Sequence, residues 1–250
     1  QGRLYWNKVY ELPEGNRQSK GRALQNMINI QKGDKVCAFI HVKNLSDMEY
    51  VQNHYLIFAT KNGLMKKTTL ESYSRPRANG IIALGLREDD RLIRVTLTDG
   101  NSQMLVASYN GKVVRFPEDT VRPMGRTATG VRAIKLDEDG KDRVVGMICV
   151  EDGSQDTVLV ISEKGYGKRT LLDDENGEPI YRITNRGGKG VKTINITDKT
   201  GDLISIQAVN DDNDLMIINR SGDHQVRYCN PYGNECNQRI GPCYPRCETY

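Results

Sequence analysis

Residues 55–70 read YLIFATKNGLMKKTTL, an apolar run, an Asn-Gly pair and a second, basic run. A short aliphatic run, a glycine turn and a basic run predict short neighbouring strands of an antiparallel sheet. The pattern recurs as QMLVASYNGKVVRFPE from 103, TVLVISEKGYGKRTLL from 157 and DLMIINRSG from 214, and QGRLYWNKVYEL at 1–12 is similar to its second half. An internal repeat of this kind decides the fold before any single motif does.

The repeat has two glycine markers. The turn glycines are Gly2, Gly63, Gly111, Gly165 and Gly222, separated by 61, 48, 54 and 57 residues. A second glycine follows each of the first four after 17 to 25 residues, at Gly21, Gly80, Gly130 and Gly190. After it come an acidic turn and another apolar run, such as KVCAFIHV from 35.

Each unit therefore predicts about four short strands, and no segment has a convincing helical period of useful length. We predict an all-β fold, an incomplete β-pinwheel or propeller-like array of four-stranded antiparallel blades. The boundaries are a partial blade at 1–31, blades at 32–87, 88–136 and 137–196, and a partial blade at 197–222. A β-sandwich fits the strands but not the regular period.

The positive charge recurs in one part of the unit. The chain has 36 Lys and Arg against 32 Asp and Glu, a net charge of only +4. Between the two glycines, however, every unit is basic, whereas the acidic residues lie in turns such as 88–90, 137–142 and 211–214. Cations at equivalent places in successive blades predict a basic rim that fits duplex DNA, with one negative charge per roughly 1.7 Å of axis. Contacts to phosphates carry no sequence information directly.

Our candidate phosphate contacts are Lys66, Lys67, Arg75, Arg77, Lys112, Arg115, Arg126, Lys168, Arg169, Arg186, Lys189 and Lys192. The alternative is that these side chains only keep exposed strands solvated. That explanation is adequate for a single Lys or Arg, but it does not explain why cations recur at the same place in successive units. Residues 184–190, TNRGGKG, add Gly187, Gly188 and Gly190. Without Cβ atoms, these glycines would let the backbone take positive φ and approach a phosphate closely.

These repeats resemble the C-terminal domain of the DNA gyrase A subunit over about residues 1–222. The similarity rests on GRLYWNKVYELPEGNRQSKGRALQNMINI from 2, YGKRT at 166–170 and GRTATGV at 125–131, which is similar to the family's G-R-x-T-x-G signature. Arg186, Gly187, Gly188, Lys189 and Gly190 match the last five positions of the family's box Gln-Arg-Arg-Gly-Gly-Lys-Gly. Thr184 and Asn185 replace its first two, and the box normally lies on the first blade, whereas here it lies in the fourth repeat.

The resemblance implies a six-bladed β-pinwheel with altered strand connections that wraps double-stranded DNA around its basic perimeter. It also implies an A2B2 holoenzyme with the gyrase B subunit, in which wrapping supports ATP-dependent negative supercoiling by a type II topoisomerase. ATP and Mg would be used elsewhere in that holoenzyme, so no cofactor is expected here. The alternatives are the A subunit of the related topoisomerase IV and, in a different class, a propeller that serves as a protein interaction scaffold.

Catalytic and metal sites are not expected in this sequence. It has no G-x-x-x-x-G-K-[ST] loop and no H-E-x-x-H, and its three histidines are scattered. No run of about 18 apolar residues and no signal-peptide pattern is present. We therefore expect a cytoplasmic, chromosome-associated protein with no membrane partner. Cys37 and Cys149, isolated in aliphatic runs, are predicted to be reduced core residues.

Residues 223–250 depart from the repeat. Four cysteines crowd this tail, spaced C-x6-C-x6-C-x3-C, without the C-x2-C pair typical of zinc sites, and no strand is predicted in it. A secreted disulfide module would contradict the cytoplasmic body. We hypothesise that the tail is aberrant and translated out of frame, because codons allowed for residues 240–244, read one base later, can encode Ser-Gly-Arg-Ala-Thr. The nucleotide sequence tests this.

Overall fold

The computed structural model describes residues 2–16, 18–31, 33–138 and 140–219, and the backbone of two further strands. Its strands are β1 Arg3–Leu4, β2 Tyr55–Thr60, β3 Leu64–Thr69, β4 Ile81–Ile82, β5 Leu92–Thr98, β6 Ser102–Ser108, β7 Lys112–Pro117, β8 Val131–Arg132, β9 Val144–Glu151, β10 Thr157–Ser162, β11 Gly167–Thr170, β12 Val191–Lys192, β13 Leu203–Val209, β14 Asp214–Asn219, β15 His224–Tyr228 and β16 Cys243–Glu248. One short helix, α1, spans Met48–Asn53, and four 3-10 turns lie at Val9–Glu11, Leu24–Asn26, Leu70–Tyr73 and Glu118–Thr120.

The strands form successive antiparallel sheets, each built around one hairpin. Sheet I has the order β5-β2-β3-β8, and sheet II has the order β9-β6-β7-β12. Sheet III contains β13-β10-β11, sheet IV contains β16-β14-β15, and β1 pairs with β4. The predicted all-β class with four-stranded antiparallel sheets is confirmed.

Each central strand packs on two neighbouring sheets, because its side chains alternate between the two faces. In β2, Ile57 and Ala59 join Met104 and Phe116 of sheet II, whereas Leu56 and Phe58 lie in a separate cluster with Tyr73, Leu84 and Trp6. A third cluster joins sheets II and III around Leu105, Val158 and Ile206. Both faces of a sheet are therefore covered, as in the blades of a propeller.

The contiguous blade boundaries predicted above are wrong, because the sheets exchange strands between repeat units. The fourth strand of sheet I, β8, comes from the following unit and pairs Val131 with Met65. Likewise β12 pairs with β7, and β4 with β1. The blade predicted at 32–87 thus gives up β4 to the preceding unit. The blade predicted at 88–136 gives up both β5 and β8, and the blade predicted at 137–196 gives up both β9 and β12.

The second glycine makes this exchange possible. Gly130 has φ +103°, and a Cβ there would lie 2.4 Å from the carbonyl oxygen of Met65. At Gly190 the corresponding distance to the Val113 carbonyl oxygen is 2.5 Å, with φ +76°. Real Cβ atoms essentially never approach so closely, so only glycine lets the outer strand lie against the preceding hairpin.

Three further expectations are corrected. Residues 36–42 form no strand, whereas their equivalents β5, β9 and β13 pair with the first strand of the preceding hairpin. Cys37, in this segment, is exposed rather than in the core, whereas Cys149 is partly buried against the first cluster. Strands β15 and β16 lie within the tail that was predicted to have none, because their backbones pair with β14. The zinc and reading-frame interpretations of the tail concern side chains outside the described ones.

Candidate nucleic-acid interface

Three predicted phosphate contacts are internal ion pairs. Lys67, Arg115 and Arg169 each stand four positions after a turn glycine, and their side chains are only 5, 7 and 4 % exposed. Each pairs with a carboxylate that comes later in the chain, beyond its own unit's hairpin, and every N–O distance is 2.8 Å; the partners are Glu118, Asp173 and Asp211. Because these cationic groups are buried and already hold carboxylate partners, we leave Lys67, Arg115 and Arg169 out of the proposed DNA contacts.

Lys66 is also internal, with a side chain that is fully buried. Its ammonium group donates to the carbonyl oxygens of Ala83, at 2.5 Å, and Arg126, and it lies 5.3 Å from the centre of the Phe58 ring. Burial, together with the positive charge of Arg126, lowers the pKa of Lys66 to about 8. Lys66 is therefore a structural residue that joins sheet I to the next unit, and it is not a phosphate contact.

The charge of Lys112 is largely neutralised where it stands. Its Nζ lies 2.6 and 2.7 Å from the two carboxylate oxygens of Asp137, and its side chain is 30 % exposed. Lys112 thus forms an ion pair with Asp137 next to the turn of the sheet II hairpin. We therefore leave it out of the proposed DNA contacts.

The remaining candidates are accessible. Arg126 is half-buried, and the exposed ones are Arg75, Arg77, Lys168, Arg186, Lys189 and Lys192. Lys192 is placed by β12, where it pairs with Lys112, and Arg186 Nε donates to the carbonyl oxygen of Thr120 at 3.2 Å. Within the described residues, none of these exposed side chains forms an ion pair with a carboxylate.

The glycines of residues 184–190 make close contacts within the protein. Gly187 (φ +80°) and Gly190 (φ +76°) adopt the predicted positive φ, whereas Gly188 does not. Their close neighbours, however, are protein backbone: Gly187 N donates to Ala133 O at 2.7 Å, and Gly188 O accepts from Lys135 N at 2.9 Å. The box segment thereby lies along residues 133–135 of the preceding unit. The close approach of this backbone to a phosphate stays a prediction.

This packing brings together cations that the sequence analysis missed. Arg132 and Lys135 are exposed, and a Cβ at Gly187 would lie 3.9 Å from Cγ of Arg132. Arg132 stands two positions after Gly130, as Lys192 stands two positions after Gly190, so the alignment of the repeats carried a signal for it. Arg122 and Arg182 are exposed as well.

Exposed cations that have no carboxylate partner among the described residues, on the outer strands β8 and β12 and on the box segment, are suited to bind phosphate groups electrostatically. Across the residues that are described, no three His, Cys, Asp or Glu side chains are grouped so that they could hold a metal ion. Nor does the described part contain a helix of the length and apolarity needed to cross a membrane.

Sheets that exchange outer strands and carry exposed cations define a pinwheel-type β-propeller domain. A family profile described as "DNA gyrase C-terminal domain, beta-propeller" matches residues 1–43, 54–99, 103–151 and 156–210. The chain belongs to this family, and the resemblance predicted from the sequence is confirmed.

Relatives and solved structures agree with this assignment. The DNA gyrase A subunit of Staphylococcus aureus strains NCTC 8325 and COL is 44 % identical over 221 residues, which is 88 % of this chain and 24 % of those proteins. The chain thus spans about a quarter of the length of the curated relatives it matches. The C-terminal domain of DNA topoisomerase IV superposes with a TM-score of 0.77 at 22 % identity, covering 91 % of this chain and 67 % of that one. A DNA gyrase A C-terminal domain superposes with a TM-score of 0.71 at 21 % identity, covering 90 and 68 %. At these identities the two structures support the fold alone.

Proposed function

We propose that this chain is the DNA-binding and DNA-wrapping domain of a DNA gyrase A subunit. The observation that carries the proposal is the group of exposed cations without a carboxylate partner among the described residues, on the outer strand β12 (Lys192) and on the box segment (Arg186 and Lys189). The contact set is the accessible one, so it omits Lys66, Lys67, Lys112, Arg115 and Arg169. Duplex DNA would lie on this perimeter and bend with it, and sequence preference would be small because the cations meet phosphates.

In the whole enzyme, this domain would present bent DNA to a type II topoisomerase made of two A and two B subunits. ATP-dependent negative supercoiling, the use of Mg and the cleavage chemistry would belong to other parts of that enzyme. The proposed location is the bacterial cytoplasm, on the chromosome.

Binding and bending are tested with the 250-residue chain and duplex DNA in gel-shift and energy-transfer assays. We expect retardation at low salt, a steep loss of affinity as salt rises, and closer labelled DNA ends in the complex. Unchanged mobility of the DNA at low salt would instead favour a protein interaction scaffold whose charged rim only keeps the protein soluble.

The choice between gyrase and topoisomerase IV rests on the 44 % identity to gyrase A subunits. The test uses the full-length A subunit that contains this chain, assembled with its B subunit on relaxed plasmid and ATP. Negative supercoiling is expected; relaxation and decatenation without supercoiling would assign the chain to topoisomerase IV.

A further inference from the structure

The contacts between successive repeat units define two equivalent seams. The first seam joins residues 80–86 to residues 125–130 of the next unit, where Gly85 N donates to Ala128 O at 3.2 Å. The second seam joins residues 130–136 to residues 184–190, where Lys135 N donates to Gly188 O at 2.9 Å. Because the same hydrogen bond recurs, each residue of one seam has an equivalent in the other.

The two seams differ sharply in charge at four equivalent positions. In the second seam these positions hold Arg132, Lys135, Arg186 and Lys189, all of them exposed. In the first seam they hold Ile82, Gly85, Arg126 and Thr129, so a single, half-buried cation remains. Ile82 is 48 % exposed, which places an apolar surface where the second seam has Arg132.

The backbone explains why the second seam gathers its cations from two units. Gly187 N donates to Ala133 O and Lys135 N donates to Gly188 O, so the box segment runs beside the segment that carries Arg132 and Lys135. The Arg132 side chain lies next to Gly187, because a Cβ built at Gly187 would be 3.9 Å from its Cγ and Cδ. No carboxylate pairs with these four cations within the part of the chain that the structure describes.

We infer that the second seam is a composite phosphate clamp, in which Arg132 and Lys135 of one unit act with Arg186 and Lys189 of the next. DNA is then held asymmetrically, tightly at the second seam and weakly at the first. This inference rests on the proposed DNA-binding function and adds Arg132 and Lys135 to its contacts.

The loss-of-function experiment replaces Arg132 and Lys135, the two residues that only this inference assigns to DNA contact. Arg132→Ala/Lys135→Ala should weaken binding of duplex DNA about three- to tenfold at low salt and lower the salt slope by about 2, one for each phosphate contact removed. Lys35→Ala/Lys43→Ala removes the same charge from exposed positions outside both seams and serves as the matched control. Circular dichroism melts of all variants show that the fold is retained.

The gain-of-function arm transfers the charge to the weak seam. Ile82→Arg/Thr129→Lys should raise the affinity several-fold and steepen the salt dependence, since both positions are the equivalents of clamp residues. Gly85 is left unchanged, because a Cβ there would lie 2.4 Å from the carbonyl oxygen of Thr127.

An Arg132→Ala/Lys135→Ala variant that binds DNA as the control pair does would overturn the clamp while leaving the proposed function standing. An Ile82→Arg/Thr129→Lys variant without increased affinity would overturn the asymmetry. A wild-type chain that does not bind DNA at low salt would overturn both the clamp and the proposed function.

Discussion

Lys67 Nζ lies 2.8 Å from Oε1 of Glu118, a residue of the following repeat unit, and both side chains are almost completely buried. The same Glu118 carboxylate accepts hydrogen bonds from Thr98 Oγ1 at 2.7 Å and from Ser102 N at 3.3 Å. A buried charge pair with its remaining lone pairs satisfied joins sheet I to sheet II.

Removing one member of this pair leaves the other charge buried without a partner. We expect Glu118→Ala to destabilise the chain by about 3–5 kcal/mol, seen as a lower urea midpoint. The neighbouring Asp119 is exposed, so Asp119→Ala should change the stability by about 0.5 kcal/mol or less. Lys67→Met/Glu118→Leu should be more stable than Glu118→Ala; equal midpoints for Glu118→Ala and Asp119→Ala would show that the pair contributes little.

The second glycine is expected to be irreplaceable for steric reasons as well as for its φ. Gly130→Ala should destabilise by more than Gly140→Ala, although both residues have positive φ, because a Cβ at Gly140 meets nothing within 4 Å. The Gly140→Ala cost should be about 1–2 kcal/mol, from the backbone conformation alone. Thermal or urea unfolding of the two variants compares them directly, and similar losses would contradict the close approach of Gly130 to Met65.

Lys66 should make stability depend on alkaline pH. Its pKa is lowered from 10.5 to about 8 in the folded chain, so between these values the unfolded state holds more protons. Stability should therefore rise as the pH increases through this window, by up to about 3 kcal/mol. The charged and titratable groups facing it are Arg126 and Tyr73, and burial raises the pKa of Tyr73 to about 12, outside the window. Lys66→Met should remove the dependence; a wild-type slope in that variant would assign it to other groups.

Exposed and buried cations should behave oppositely toward DNA. Lys192→Ala should weaken DNA binding at low salt and lower the salt slope by about 1. Lys66→Met removes one positive charge from the interior and should leave the salt slope unchanged. Fluorescence anisotropy with labelled duplex DNA at several salt concentrations measures both slopes. An equal change of the salt slope in the two variants would contradict the claim that only exposed cations contact DNA.

The short antiparallel strands and the class of fold could be predicted from the sequence because glycine turns and apolar runs are local signals. The partners of the outer strands could not be predicted from the sequence. A glycine at position 130 indicates that two backbone segments lie close together, but it does not indicate which hairpin lies beside it. The cations were misassigned for a related reason. Lys66 and Lys67 are adjacent on β3 and face opposite sides, yet both are buried because sheets cover both faces. The ion-pair partner of Arg115 lies 58 residues further along the chain, beyond the reach of any local pattern.

The most direct test of the account is the reactivity of individual lysines toward an acetylating reagent, measured by mass spectrometry with and without duplex DNA. Lys189 and Lys192 should react in the free chain and be protected by DNA, exposed Lys43 should react equally in both, and buried Lys66 and Lys67 should react slowly throughout. Equal reactivity of Lys189 and Lys192 with and without bound DNA would contradict the claim that DNA lies on the outer strands and the box segment.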